Sequence, residues 1–384
     1  MTDVLVVGAG PAGSVAALVL ARAGVRVRLV DRARFPRDKL CGDTLNPGTL
    51  SILDRLGVSA AVREHALPIT GMNITGPDGT LVSADYPDGI HGGALTRREL
   101  DTLLVEAATG AGAAFETGVI VRAPLLHADW PRVTGVRLVS RSNEHNLRAR
   151  VVIAADGRHS RLAFGMGLAN YAPAPKRWAF GAYFIDVAGM SSRGEMHIRS
   201  DGYVGVAPLP GGIVNVCVVR ELKNVFRAQR VNAGSVIDQA LRSDPVLAAR
   251  FTRARQVSRV TVLGPLAVDC MASGCPGLLL AGDAAGFIDP MTGDGLRFAI
   301  RGGELAAHAA LRELSSGVAA CASLRVERAK EFGTKWRVNR GLRALVASPR
   351  ALNVASRMAR GWKAPVRMLV RLAGDINLAQ HAAS

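Results

Sequence analysis

Gly8, Gly10 and Gly13 stand in the spacing G-x-G-x-x-G, with Pro11 and Ala12 between the last two, and Asp31 follows eighteen residues after Gly13. At that spacing the first glycine makes a tight turn, the second lets the backbone approach a pyrophosphate, and the third lets a helix lie close to a strand. Asp31, with Arg32 beside it, supplies a carboxylate that can accept hydrogen bonds from a ribose. The flanking segments suit this chemistry. Residues 4–7 form a short β-branched strand, residues 14–23 an apolar helix stopped by Gly24, and residues 25–30 a second strand. The helix N-terminus offers unpaired N–H groups and its positive dipole end to phosphate. The unit reads as a mononucleotide-binding βαβ fold holding a dinucleotide.

Five more clusters carry chemistry-bearing residues. A polar loop at 33–47 contains Arg37-Asp38-Lys39-Leu40-Cys41-Gly42-Asp43. Arg97 opens a helical stretch at 97–109. Strand patterns across 135–153 end at Asp156-Gly157-Arg158-His159-Ser160, and a strand at 277–281 runs into Gly282-Asp283-Ala284-Ala285. Pro290-Met291-Thr292-Gly293-Asp294-Gly295 then precedes a helix over 295–314.

In this order the motifs resemble those of FAD-dependent oxidoreductases of the para-hydroxybenzoate hydroxylase fold, most of all their geranylgeranyl reductase-like branch. The resemblance covers about residues 1 to 310. It implies an FAD whose ADP half lies on Gly8 to Gly13 and Asp31, with Cys41 and Gly42 in a loop over the flavin. Arg97 lies near the diphosphate and ribityl chain, Asp156 and Gly157 contact FAD and transient NAD(P)H, and Gly282 and Asp283 bind the ribityl hydroxyls. A reduced isoalloxazine carries negative charge at its pyrimidine end. The backbone N–H groups and helix dipole after Pro290, Gly293, Asp294 and Gly295 would stabilise it. Cys41 and Asp43 are the candidate catalytic groups. Cys41 either donates a proton or is a small buried hydrophobe, and Asp43 and Asp294 either act as flavin-side acids or cap turns. His159 reads as a cofactor-side or surface group, and His197 as a satisfied structural histidine.

The expected fold is α/β. A Rossmann-like, three-layer FAD-binding domain spans 1–70, 92–175 and 260–324. A substrate domain on an antiparallel sheet spans 71–91 and 176–259, and a basic helical extension covers 325–384. A further helical stretch is expected over 231–254. With 49% hydrophobic residues the 384-residue chain can bury a large core. Its five cysteines form no C-x-x-C pair and suggest neither a metal site nor a disulfide framework, which fits a reducing cytoplasm. No apolar run is long enough to span a bilayer.

Prenyl reductases of archaeal type carry a Y-x-W-x-F-P strand along the lipid tunnel. Here the strand reads Tyr203-Val204-Gly205-Val206-Ala207-Pro208, so Tyr203, Gly205, Ala207 and Pro208 are the expected substrate-lining positions, with both large rings missing. The pocket should therefore accept a bulkier head group. The favoured expectation is an NAD(P)H-dependent monooxygenase acting on a hydrophobic aromatic, polyketide- or quinone-like substrate. The alternative is a reductase of carbon–carbon double bonds in prenyl or quinone side chains. A non-catalytic flavoprotein binding membrane or nucleic acid is the reading from another class.

Net charge is +17 and uneven: thirteen Lys or Arg fall between Arg325 and Arg371 against Glu327 and Glu331. Leu342, Leu345, Val346, Leu352, Val354, Met358, Val366, Leu369 and Val370 recur there at helical spacing, with Trp336 and Trp362 nearby. This segment is either a solvated cap on the cofactor domain or a face that lies on an anionic membrane. Nucleic acid ranks last, because no nucleic-acid module is recognisable.

Overall fold

The computed structural model describes residues 2–40, 42–87, 89–129, 131–140, 143–173, 176–221 and 232–376. Its first sheet runs in the order Gly274–Cys275, Leu278–Leu280, Asn143–Ala154, Thr2–Val7, Val27–Asp31, Ala114–Thr117. The pairs from Leu278–Leu280 to Ala114–Thr117 are parallel, with Val4 registered between Val27 and Val151. The opening strand is an unbroken apolar run because both of its faces are covered. Val4 and Val6 point into one core with the helices, while Leu5 and Val7 point into a second core on the opposite face.

Helix Pro11–Arg22 lies on the first of these faces, against Arg97–Gly110 and Gly295–Ser316. A Cβ on Gly13 would stand 1.8 Å from the Gly8 carbonyl oxygen, and one on Gly303 would stand 2.1 Å from that of Ala12. These two glycines set how closely strand, helix and second helix approach. Arg97–Gly110 begins with a capping box, the Thr96 hydroxyl accepting from Glu99 N–H while the Glu99 carboxylate accepts from Thr96 N–H. That cap fixes Arg97 in the first turn.

The second sheet runs Arg255–Gln256, Arg177–Ile185, Val214–Glu221, Gly202–Pro208, Arg193–Arg199, Gly71–Thr75, Leu81–Asp85. It is antiparallel except where Gly71–Thr75 joins Arg193–Arg199 in parallel, a pairing between distant segments that local turn signals do not announce. The expected helix over 231–254 is shorter, Ala233–Ser243, because Asp244 leaves helical dihedrals and accepts from Val246 and Leu247 N–H. Residue 231 lies outside the described residues. One face of the sheet packs on this helix through Phe180, Phe184, Val216 and Ile237.

Three C-terminal helices, Cys321–Ala347, Pro349–Gly361 and Ala364–Ala373, cross the other face. The first packs on Gly295–Ser316 through Leu324 and Phe332. Trp336 tilts against Phe332 at 5.8 Å between centroids and so belongs to the core. The segment does more than cap the cofactor domain: its inner face also walls a cavity against the second sheet, while its outer face is exposed.

Candidate active site

The cofactor slot is built from backbone proximity and fixed cations. The space beside Gly10 is flanked by two guanidinium groups, those of Arg37 and Arg97, whose nitrogens lie 3.5 and 3.8 Å from where a Cβ would sit. Asp101, buried one helical turn after Arg97, holds both. It accepts from Arg97 Nε and Nη2 at 2.8 Å each, and its Oδ2 lies 3.0 Å from Arg37 Nη2. Two fixed cations on one carboxylate leave a net positive charge over the glycine loop, which suits a diphosphate. The i,i+4 spacing of Arg97 and Asp101 is readable in the sequence. Arg37 as its second partner is not, since the two loops meet only in the fold.

Further along the slot, Gly157 has a φ of +84°, and Lys39 Nζ lies 3.9 Å from where its Cβ would be. Burial pulls the Lys39 ammonium down, and Arg97 pushes in the same direction. Asp283 is the second residue of the turn Gly282–Ala285, and its charge acts on Lys39 and Arg158 from one position. Asp156 accepts from Arg161 N–H at 3.0 Å, as a strand-end turn would, and burial raises its carboxyl above the usual range. Its other oxygen, like Arg158 Nη1, is buried without a partner among the described residues.

Asp31, expected to bind a ribose, has a structural part as well. Its two oxygens accept from Ala9 and Ala33 N–H at 2.8 Å each, pinning the glycine loop to the second strand. Arg32 is exposed beside it. His159 is tied to the Tyr171 hydroxyl at 2.6 Å. The glycine cradle, paired arginines, open Asp283 and orphaned atoms of Asp156 and Arg158 fit an FAD lying from Gly8 to Pro290.

At the far end the slot meets a cavity of about 270 Å³. Met72, Ile74 and Val82 line it from the outer strands of the second sheet, Met196, Ile198, Gly205 and Ala207 from the inner ones. Leu342, Leu345, Leu352, Ala359, Val366 and Leu369 close it from the C-terminal helices, and Gly42, Thr44, Pro290, Gly293 and Asp294 form its cofactor end. Gly205 and Ala207 face it as expected. A Cβ on Gly205 would meet only the Cys217 carbonyl oxygen, at 3.8 Å.

Two of the four expected substrate-lining residues do not line it. Tyr203 shares the face of Gly205 but sits at the strand's far end, in a cluster with Met291 and Val346, its hydroxyl bonded to Asp289. Pro208 falls on the opposite face by strand alternation and is absent from the wall. The helical spacing of the C-terminal segment also sorts differently. Val354 and Met358 point outward, and the inward positions are Leu352, Ala355, Ser356 and Ala359.

Two buried acids stand where the slot and cavity meet. Asp43 is fully buried, at a φ of +55°, between the lining residues Gly42 and Thr44. Its Oδ2 accepts from the Tyr183 hydroxyl at 2.7 Å and from Asn215 Nδ2 at 2.6 Å, while Oδ1 has no partner among the described residues. Burial pushes the Asp43 carboxyl up to about 7, although both hydrogen bonds and the Arg97 charge pull it down. Cys41, the other candidate, lies outside the described residues.

Asp294 is the second acid. Burial raises it, against the pull of Lys335, whose Nζ donates to Asp294 Oδ1 at 2.6 Å. The same ammonium reaches Asp375 at 3.1 Å and the Leu372 and Ala373 carbonyl oxygens. Asp294 is therefore an anchor for the C-terminal helices rather than a turn cap. The expectation of a cofactor-side residue stands beside that role, and Gly295 begins the helix behind it. His197, bonded to Thr75 and Glu195, is buried on the opposite side of the sheet, away from the cavity.

A family model described as an FAD binding domain matches residues 1–323. The digeranylgeranylglycerophospholipid reductase of Methanosarcina mazei is 31% identical over 345 residues, covering 87% of this chain and 80% of that protein. The menaquinone reductase of Mycobacterium tuberculosis is 31% identical over 404 residues, covering 97% and 91%. Among solved structures, the flavin-dependent brominase Bmp2 superposes with a TM-score of 0.84 at 19% identity, covering 97% of this chain and 93% of its own, and so shares the fold.

Proposed function

This chain belongs to the FAD-dependent oxidoreductases of the para-hydroxybenzoate hydroxylase fold, in their geranylgeranyl reductase-like branch, and we propose that it reduces carbon–carbon double bonds in the apolar chain of a prenyl lipid or quinone. The observation that carries this reading is an apolar cavity whose cofactor end is walled by Gly42, Thr44 and Asn215, with the buried carboxyl of Asp43, pushed up to about 7 by burial, directly behind that wall. The reductase names of two relatives that match most of the chain support it.

When bound, FAD would supply one hydrogen together with the reducing electron pair, renewed from a reductant such as NAD(P)H, and leave one proton to be added by the protein. Gly8 to Gly13, Arg37 and Arg97 would hold its diphosphate, Asp283 its ribityl hydroxyls, and the N–H groups beyond Pro290 its pyrimidine end. The aliphatic walls align the substrate chain and keep water out, which preserves the strength of every charge at the cavity's end. Asp43 gives its proton to the carbon that becomes electron-rich and is reprotonated from solvent. Tyr183 and Asn215 fix its orientation, and its unpartnered oxygen is the one left to donate.

The test is anaerobic incubation of the chemically reduced holoenzyme with a geranylgeranyl lipid and with a menaquinone, followed by mass spectrometry. A gain of two hydrogens per bond, without oxygen, is the expected product. A product formed only in air and carrying an added oxygen would overturn the proposal in favour of a hydroxylase using the same cavity.

A further inference from the structure

The outer surface of the last two helices has no role in the reaction above. From Phe332 to Gly374 the chain has ten Lys or Arg and neither Asp nor Glu. Helices Pro349–Gly361 and Ala364–Ala373 use the same register, i, i+3/i+4, i+7, to face the cavity: Leu352, Ala355, Ser356 and Ala359 on one, Val366, Leu369, Val370 and Ala373 on the other. Their opposite faces are not simply polar. Val354 is 57% exposed, Met358 58%, Trp362 62% and Met368 73%, interleaved with exposed Arg350, Arg357, Lys363, Arg367 and Arg371. Among the described residues no carboxylate pairs with Arg350, Arg357, Lys363 or Arg371, so their charge is available to a partner.

The mouth of the cavity opens beside this face. Gly76 and Thr80, in the turn between strands Gly71–Thr75 and Leu81–Asp85, line the cavity together with Ser356 and Ala359. A shallow groove from Asp78 to Leu81, with Arg360 and Lys363, continues outward from it. A small latch spans this mouth. Arg360 Nη2 lies 2.8 Å from Asp78 Oδ2, Arg360 Nε donates to Thr80 Oγ1 at 3.0 Å, and the Ser356 hydroxyl bonds Asp78.

We propose that the outer face of helices Pro349–Gly361 and Ala364–Ala373 docks on an anionic lipid bilayer, presenting the mouth beside Asp78 and Arg360 to the lipid. Cations on an amphipathic helix attract anionic headgroups, and large apolar side chains between them enter the acyl boundary. Soluble surfaces rarely expose so many large apolar side chains together. Among the described residues no helix is long and apolar enough to cross the bilayer, so the contact is peripheral. Headgroup phosphates compete with Asp78 for Arg360, which ties docking to opening of the mouth. Only the reason for admitting a lipid rests on the proposed function; the docking itself is measured without substrate.

The experiment is flotation of the full FAD-loaded chain with vesicles of phosphatidylcholine alone and with phosphatidylglycerol added, over a range of salt. The parent should float with the anionic vesicles and leave them as salt rises, since exposed charges are screened beyond about 8 Å at physiological ionic strength. Arg350→Ser with Arg357→Ser and Arg371→Ser should weaken partition about a hundredfold, from about fivefold per cation. Met358→Ser with Trp362→Ser should keep the low-salt attraction and lose what survives added salt. Flavin absorbance and melting temperature should stay at parental values in both variants.

Equal flotation of the triple variant, or no preference for anionic vesicles, would overturn the proposal. So would tighter binding to an oligonucleotide than to the vesicles, or a dimer that the triple variant dissolves. Reduction of detergent-solubilised lipid by the same preparations is scored separately. Docking that fails while reduction persists removes this inference alone, and the converse removes only the proposed function.

Discussion

The two halves of the active site use small residues for opposite ends. In the cofactor half a Cβ on Gly13 would collide with the Gly8 carbonyl oxygen at 1.8 Å. In the substrate half a Cβ on Gly205 would meet nothing closer than the Cys217 carbonyl at 3.8 Å. The first glycine is needed because backbone must touch backbone, and the second leaves room that a ligand takes. A slot that holds one invariable cofactor is defined by the main chain. A cavity that must suit a particular chain of carbons is defined by what its side chains leave empty.

The sharpest way to break this comparison is to add bulk to each half. Gly13→Ala should cost about 3 kcal/mol of stability or more, at the upper end of overpacking, and the protein should be purified without flavin. Gly205→Trp should be purified yellow, with an unchanged melting temperature and no turnover. If Gly13→Ala holds FAD, or Gly205→Trp turns over normally, the contrast between the halves is false.

Next in size is the acid at their junction. Asp43→Asn should retain flavin and lose about 10²- to 10⁴-fold in turnover, the range for removal of a general acid. Parental turnover should fall as pH rises through about 7, where the carboxyl loses its proton, and the variant should lack that limb. The same shift carries a stability signature. Because folding raises this carboxyl from the unfolded value near 4 to about 7, its contribution is full below pH 4 and is lost as pH rises through 7. Denaturation of the apoprotein over that range should show it, and Asp43→Asn should remove it.

A smaller effect is expected where the halves are joined. Lys335→Met leaves Asp294 buried with its ion-pair partner removed and should lower stability by about 3 kcal/mol, the lower end for a broken buried pair. A pair mutant with Asp294→Asn should recover part of that loss in chemical denaturation. Smallest of all, Val354→Ser on the outer face should change stability by less than about 0.5 kcal/mol, although Leu352 two residues away lines the cavity.

The cofactor half was legible in the sequence because its determinants are local. Gly8 to Gly13 lie within one turn between a strand and a helix. Arg97 follows its cap by one residue, and Asp156 and Asp283 end strands of the sheet that Thr2–Val7 begins. The loop holding Arg37 and Lys39 was recognised there, but what those two side chains face depends on where the loop folds back. The cavity was legible only in fragments. Gly205 and Ala207 could be placed from a strand motif, but Tyr203 belongs to that motif and packs elsewhere. Its walls come from hairpin 71–85, strands beyond residue 193 and helices beyond residue 321, brought together over hundreds of residues. Tyr183 and Asn215, which hold Asp43, carry no motif: each is one position in an ordinary strand. The period of the C-terminal helices was readable, but what they cover was not. A polar-looking segment with an aliphatic stripe states that it packs and leaves open on what.

The contact between residues 373–375 and the loop at 46–48 has a further consequence for how the enzyme comes into being. Asn46 donates to the Ala373 carbonyl at 2.6 Å and Gly48 N–H to the Gly374 carbonyl at 3.0 Å, while Asp375 binds Arg297 and Lys335. During translation the glycine loop, its strands and Arg97 leave the ribosome early and can assemble as a unit. The room in which a substrate reacts gains its last wall only when residue 375 has been made. The cofactor slot needs the chain only as far as helix Gly295–Ser316, so it precedes the wall that closes the cavity, and a flavin bound in that interval would face open solvent. Ending the chain between residues 350 and 370 should yield a yellow protein that spends its reductant on oxygen rather than on lipid.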